Sequence, residues 1–189
     1  MKPLLILTLF FWGAVLMQGC KKDSTDDETT ATETPILQAY IGGNVWTPDT
    51  LNTTLVYNAA TGSKLLTCTG TKSQKRIVFS IKQPGATNDS GFPAATYNVD
   101  DTTGVSMSYY TQQLTTAGVY DFLLYGTAQA GSGTITITSV DTANKTMTGT
   151  YSFTSSKVNY DAEGNYQSVT VATITLGQFN TMPYTFTSN

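Results

Sequence analysis

The 189 residues contain no histidine, so an enzyme built from this chain would have to work with carboxylates. That removes the usual general base, the Ser-His and Cys-His nucleophile systems and most zinc sites. After Pro35 the only adjacent acidic pair is Asp100-Asp101. Neighbours on a strand point to opposite faces, and a pair set between Tyr97-Asn98-Val99 and Thr102-Thr103-Gly104 reads more simply as a turn than as a catalytic acid and base. Asp161-Ala162-Glu163-Gly164-Asn165 places oxygen ligands at alternate positions beside a glycine, as a calcium loop does, yet a tight hairpin turn accounts for the same residues. Cys68, in Leu65-Leu66-Thr67-Cys68-Thr69, reads as a small buried strand residue. No catalytic residue, metal or cofactor is expected.

Aromatic side chains offer the next candidate. Tyrosine and tryptophan suit sites where one end is apolar and the other wet, so a row of them on a sheet is able to stack on sugars. The chain has 11 tyrosines, and two of them are adjacent. In Val105-Ser106-Met107-Ser108-Tyr109-Tyr110 the odd positions are apolar and the even ones carry serine, so period two buries Tyr109 and exposes Tyr110. Tyr110 is therefore the candidate ligand-stacking residue. Trp46, just after Gly42-Gly43-Asn44, is expected in the core.

The amino-terminal segment has another chemistry. Lys2 is followed by an apolar run from Leu4 to Leu16, the order of a secretory signal, and the run is too short for the roughly 20 residues a bilayer demands. Leu16-Met17-Gln18-Gly19-Cys20 resembles the lipobox of bacterial lipoproteins, with an apolar residue at minus three and a small one at minus one. The resemblance implies a signal peptide over residues 1–19, cleavage before Cys20 and lipid on that cysteine. Two or three acyl chains, at about 0.8 kcal/mol per buried methylene, anchor stably where one binds reversibly. Residues 20–35 then form a flexible tether, polar throughout and spanning on the order of 20 Å. Its Lys21-Lys22-Asp23 start is similar to the signal that sends Bacteroidota lipoproteins to the outer face of the outer membrane, and a plain solvated linker explains it as well. The expected location is the outer membrane, surface-exposed or periplasm-facing. Four triplets beginning at Asp23, Asp49, Asp101 and Asp141 are similar to the Asp-Ser/Thr-apolar motif of Bacteroidota O-glycosylation, which implies Ser24, Thr50, Thr102 and Thr142 as acceptors; chance matches in so threonine-rich a chain are the alternative.

The elements that hold these residues must be strands. Threonine, tyrosine, valine and isoleucine dominate residues 36–189, and no window carries a 3.6-residue apolar period. One domain of that length buries a core without disulfides. After Pro35 eight acidic residues face seven basic ones, so there is no basic patch for a phosphate backbone and nucleic acid is excluded as a partner. Strands are predicted at Leu37 to Ile41, Leu51 to Tyr57, Lys64 to Thr69, Arg76 to Lys82, Thr96 to Val99, Val105 to Tyr110, Tyr120 to Tyr125, Gly133 to Val140, Lys145 to Phe153 and Ser168 to Phe179. In the hairpin after Gly133, Ile135 and Ile137 share a face, as do Met147, Tyr151 and Phe153. A three-residue loop Thr142-Ala143-Asn144, with Asn144 left-handed, would bring the two apolar faces together. In the last strand Val169 and Val171 are out of phase with Ile174 and Leu176, and a bulge near Ala172-Thr173 would restore one buried face. About nine or ten short strands form an all-β antiparallel sandwich or partly closed barrel.

Three stretches carry a family resemblance: Ala39-Tyr40-Ile41-Gly42-Gly43-Asn44-Val45-Trp46, the Gly133 to Phe153 hairpin, and Thr175-Leu176-Gly177-Gln178-Phe179. Together they resemble a family of Bacteroidota lipoproteins known only as a domain of unknown function. The shared features are structural, so the resemblance assigns no site residue. The functional expectation is a membrane-anchored, non-enzymatic binding or structural module with a glycan or protein partner. The alternatives are glycan or small-ligand binding through an exposed aromatic face and, less favoured, a carboxylate-based hydrolase.

Overall fold

The computed structural model describes residues 34–100 and 102–189, and every regular element in that range is a strand. In chain order they are β1 (Leu37–Ile41), β2 (Asn44–Trp46), β3 (Thr50–Asn58), β4 (Ser63–Lys72), β5 (Lys75–Pro84), β6 (Thr96–Asn98), β7 (Val105–Leu114), β8 (Tyr120–Asp141), β9 (Thr146–Tyr160), β10 (Tyr166–Pro183) and β11 (Thr185–Ser188). Period two decides which side chains go inward: Leu66 and Cys68 on β4, Ile77, Phe79 and Ile81 on β5, Val105, Met107 and Tyr109 on β7, and Met147, Tyr151 and Phe153 on β9 are all buried. Serine and threonine fill most of the intervening positions, where the β-branched or hydroxylated side chain suits a half-wet pleated surface.

All the strands share one sheet, in the order β11-β3-β4-β5-β7-β8-β9-β10-β1-β2, with β6 paired to β8 beside that path. The sheet curls into a half-barrel. Its inner face closes on itself: the Phe79 ring of β5 lies 5.3 Å from Tyr151 of β9 and 6.1 Å from Phe179 of β10. Every pairing is antiparallel except β11 on β3, which is parallel. At Gly149 the inward position must stay bare, because a Cβ there would run into the Thr136 carbonyl and the Phe179 ring.

Several local expectations need correction. The eleven strands include two short edges, β2 and β11, that carry too few residues to show a pattern. The segments predicted from Tyr120 and from Gly133 belong to one strand, β8, interrupted by an irregularity between Ala128 and Gly133 where Gly131 is left-handed. The loop after β8 has four residues rather than three: Asp141 pairs with Thr146, and Lys145, not Asn144, takes the positive φ. The odd residue that keeps both apolar faces inward sits in a bulge, since Ile137 pairs with Gly149 and Ser139 with Thr148, leaving Thr138 extra. In β10 the shift falls at Thr175-Leu176 instead of Ala172-Thr173. Val169, Val171 and Leu176 consequently face outward, while Ile174 and Phe179 are buried.

The register also sets the two ends of the domain. Leu37 pairs with Phe179, and Asn180 N–H donates to the Ile36 carbonyl, so the chain enters at the end where β10 finishes. The β9–β10 turn at 161–165 lies at the opposite end, roughly 40 Å away along β10 at strand rise.

Candidate functional site

Tyr110 lies on the outer face of β7, opposite Arg76 of β5 and Leu124 of β8. Tyr109, its neighbour, is buried and meets the Tyr125 ring edge-on at 5.4 Å. The facing of the strand is as expected, but Tyr110 is half-buried rather than open, in register between Arg76 and Leu124. The Arg76 guanidinium lies 3.9 Å from the centroid of the Phe122 ring, and its Nε donates to Thr71 Oγ1 at 3.3 Å. Tyr110, Arg76 and Phe122 thus form one outward cluster of planar groups on three adjacent strands. Sequence reasoning missed Arg76 and Phe122. The available signal was their outward phase in β5 and β8, which counts for little until the register between the strands is known.

On the outer face of β8, β9 and β10 an open groove of about 370 Å³ is lined by Thr134, Thr136, Thr150, Ser152, Gln178 and Leu176. Leu176 has φ 48° and is 71 % exposed, the outward residue of the β10 bulge. Neutral hydroxyls and an amide offer hydrogen bonds to a polar ligand but supply neither an acid nor a base.

A second groove, of about 350 Å³, lies over the loop between β5 and β6 and includes Lys64, Asp89 and Phe92. Lys64 is buried, and its Nζ donates to Asp89 Oδ1 at 2.7 Å and to the Gly91 carbonyl at 2.6 Å. The hydrogen bond from Lys64, followed by those from the Thr87 hydroxyl and Gly91 N–H, holds the Asp89 carboxyl down at about 2.

The other acidic candidates are consumed by their own turns. Asp100 accepts from the N–H groups of Thr102 and Thr103 at 2.7 and 2.6 Å and from the Thr102 hydroxyl at 2.9 Å, and these bonds lower its carboxyl, the Thr102 N–H foremost. Asp101 lies outside the described residues. Asp161 accepts from Asn165 N–H at 2.7 Å and Glu163 N–H at 3.0 Å, with Asn165 the main cause of its lowered pKa. Asp141 is lowered in the same way by Asn144. Among the described residues no three His, Cys, Asp or Glu side chains converge as metal ligands would. Cys68 is fully buried and its thiol is pushed up to about 12 by burial, the opposite of what a nucleophile needs.

Thr50, Thr102 and Thr142 are exposed. They are spread over separate segments: Thr50 opens β3 opposite Thr71, Thr102 is fixed to Asp100, and Thr142 lies in the turn after β8. Cys20 and Ser24 lie outside the described residues.

A family model for a domain of unknown function, DUF6252, matches residues 33–183. The chain belongs to this family. No curated protein and no solved structure matches it. The DUF6252 match runs from just before β1 to the last residue of β10, so the curled sheet described above, apart from β11, is the family's domain.

Proposed function

We propose that this DUF6252 chain is a bacterial lipoprotein, cleaved before Cys20 and held on the outer membrane by lipid on that cysteine. Its β domain then serves as a non-enzymatic binding or structural module. The observation that carries the second half is the fate of four of the carboxylates. Asp89, Asp100, Asp141 and Asp161 are each tied to a lysine or to turn N–H groups that keep them ionised and occupied, whereas a general acid needs a raised pKa and a free edge facing a cleft. The first half rests on Leu16-Met17-Gln18-Gly19-Cys20 and on the polar segment that follows it. Cys20→Ser tests the anchor: the variant should leave the membrane fraction and lose metabolic labelling by fatty acid. A variant that still sediments with lipid and carries label would remove the assignment.

Glycan binding through the outer face is a second reading, favoured by the Tyr110–Arg76–Phe122 cluster. A guanidinium stacked on a ring beside a second ring offers both a flat apolar surface and hydrogen-bond donors, which is what a sugar face requires.

A further inference from the structure

We infer that the outer edge of β10, from Tyr166 to Ala172, joins a second copy of this chain by antiparallel strand pairing. β1 covers β10 from Phe179 back to Ile174, and the Gly42 N–H closes on the Thr173 carbonyl. Beyond that point β10 continues to Tyr166 with β9 on one side and, among the described residues, no strand on the other. From Ser168 to Ala172 the strand therefore presents a regular edge whose alternate N–H and C=O groups point away from the sheet, and a bulge between Tyr166 and Ser168 ends that stretch. The two ends of the strand order, β2 and β11, are only three and four residues long, the usual way of blunting an edge.

Apart from the bulge between Tyr166 and Ser168, this edge lacks the ordinary guards. From Tyr166 to Asn189 the sequence carries no Asp, Glu, Lys or Arg, and Pro183 lies at the far end of the strand. Lys157, which faces Thr170 from β9, is turned to donate to the Leu124 carbonyl. The outward side chains next to the edge are instead Val169 and Val171, 45 and 54 % exposed, with Val158 of β9 directly opposite Val169 and 43 % exposed. An uncharged strand of β-branched and hydroxyl residues is complementary to itself. A two-fold axis at Thr170 would set Val169 against Val171 on the outer face and, on the inner, Thr170 against its own copy and Ser168 against Ala172, with no like charges opposed. That self-complementarity selects a second copy over a foreign strand.

The test is the mass of the mature chain by sedimentation equilibrium in density-matched detergent. A dimer is expected at micromolar concentration. Val169→Lys/Val171→Lys should yield a monomer with an unchanged circular-dichroism melt, and Val169→Glu/Val171→Glu the same. An equimolar mixture of the two should return to dimer mass, since opposite charges then meet across the axis. Val45→Lys, on the β2 edge, should leave the dimer intact. As a readout independent of the charged variants, Val169→Cys should link two copies through a short bismaleimide. A wild-type monomer at every concentration overturns the proposal, whether the edge is then covered by the amino-terminal segment or by a strand of another protein. So does a lysine variant that stays dimeric, a mixture that stays monomeric, a dimer lost with Val45→Lys, or a Val169→Cys chain that does not link.

Discussion

Lys64 and Asp89 form an ion pair across 25 residues of sequence, with the lysine side chain 4 % exposed and the aspartate side chain 56 % exposed. The pair joins the start of β4 to the loop that follows β5, and the same ammonium donates a second hydrogen bond to the Gly91 carbonyl. A buried ammonium keeps its charge only while such partners surround it.

Removing Asp89 should therefore loosen the loop from residue 85 to residue 95. Asp89 has a depressed folded pKa, so its contribution is present above the unfolded value of 3.8 and is lost as pH falls through about 2. Wild type should lose stability over that window, and Asp89→Asn should be less stable at pH 7 with a flatter acid limb. Thermal melts of both chains from pH 6 to pH 2 give the comparison; parallel curves would show that the pair contributes nothing to folding.

Trp46 is buried beside Gly70, where a Cβ would lie 2.9 Å from the indole and 2.8 Å from Leu37 Cδ2. Trp46→Ala should cost about 3–5 kcal/mol and Gly70→Ala about 1–3 kcal/mol through overpacking. The double variant should cost less than the sum, because alanine at 70 refills part of the space the indole leaves. Denaturant melts measure all three. Tryptophan emission of the mature chain, in which Trp46 is the sole tryptophan, should be that of an apolar site.

Tyr109 and Tyr110 separate stability from recognition. Tyr109→Ala should destabilise by about 3–5 kcal/mol, as other buried aromatics do. Tyr110→Ala should cost about 1 kcal/mol or less, since the ring lies outside the buried core. If the outer cluster binds sugars, Tyr110→Ala and Phe122→Ala should each weaken a signal that wild type gives on a glycan array. A wild type blank on the array removes the glycan reading for this face.

The alternation that separates these two tyrosines was legible in the sequence because β7 is regular where it packs, and one face of a regular strand declares itself by period two. The same held for β4, β5 and the body of β9. Legibility failed where the backbone departs from period. The bulges at Thr138 and Thr175-Leu176 each add one residue, and the positive φ values at Leu176, Thr181 and Lys145 fall on side chains that give no warning of it. From Val169 to Ile174 the phase of β10 is unbroken, so Val169 and Val171, expected inward through a bulge near Ala172-Thr173, face outward opposite to Ile174. The outer cluster was half legible for a related reason: Tyr110 declared itself within one strand, whereas Arg76 and Phe122 join it only through pairing between strands.

The chain enters the sheet at β1, between β10 and β2, and the β9–β10 turn lies at the far end. A pull exerted between those two points runs along the strands rather than across them. The β1–β10 ladder then meets the load in shear, with its hydrogen bonds strained together, instead of opening one rung at a time like a zip. A domain tugged from its amino-terminal side while gripped at its tip is thereby loaded in its stiffest direction.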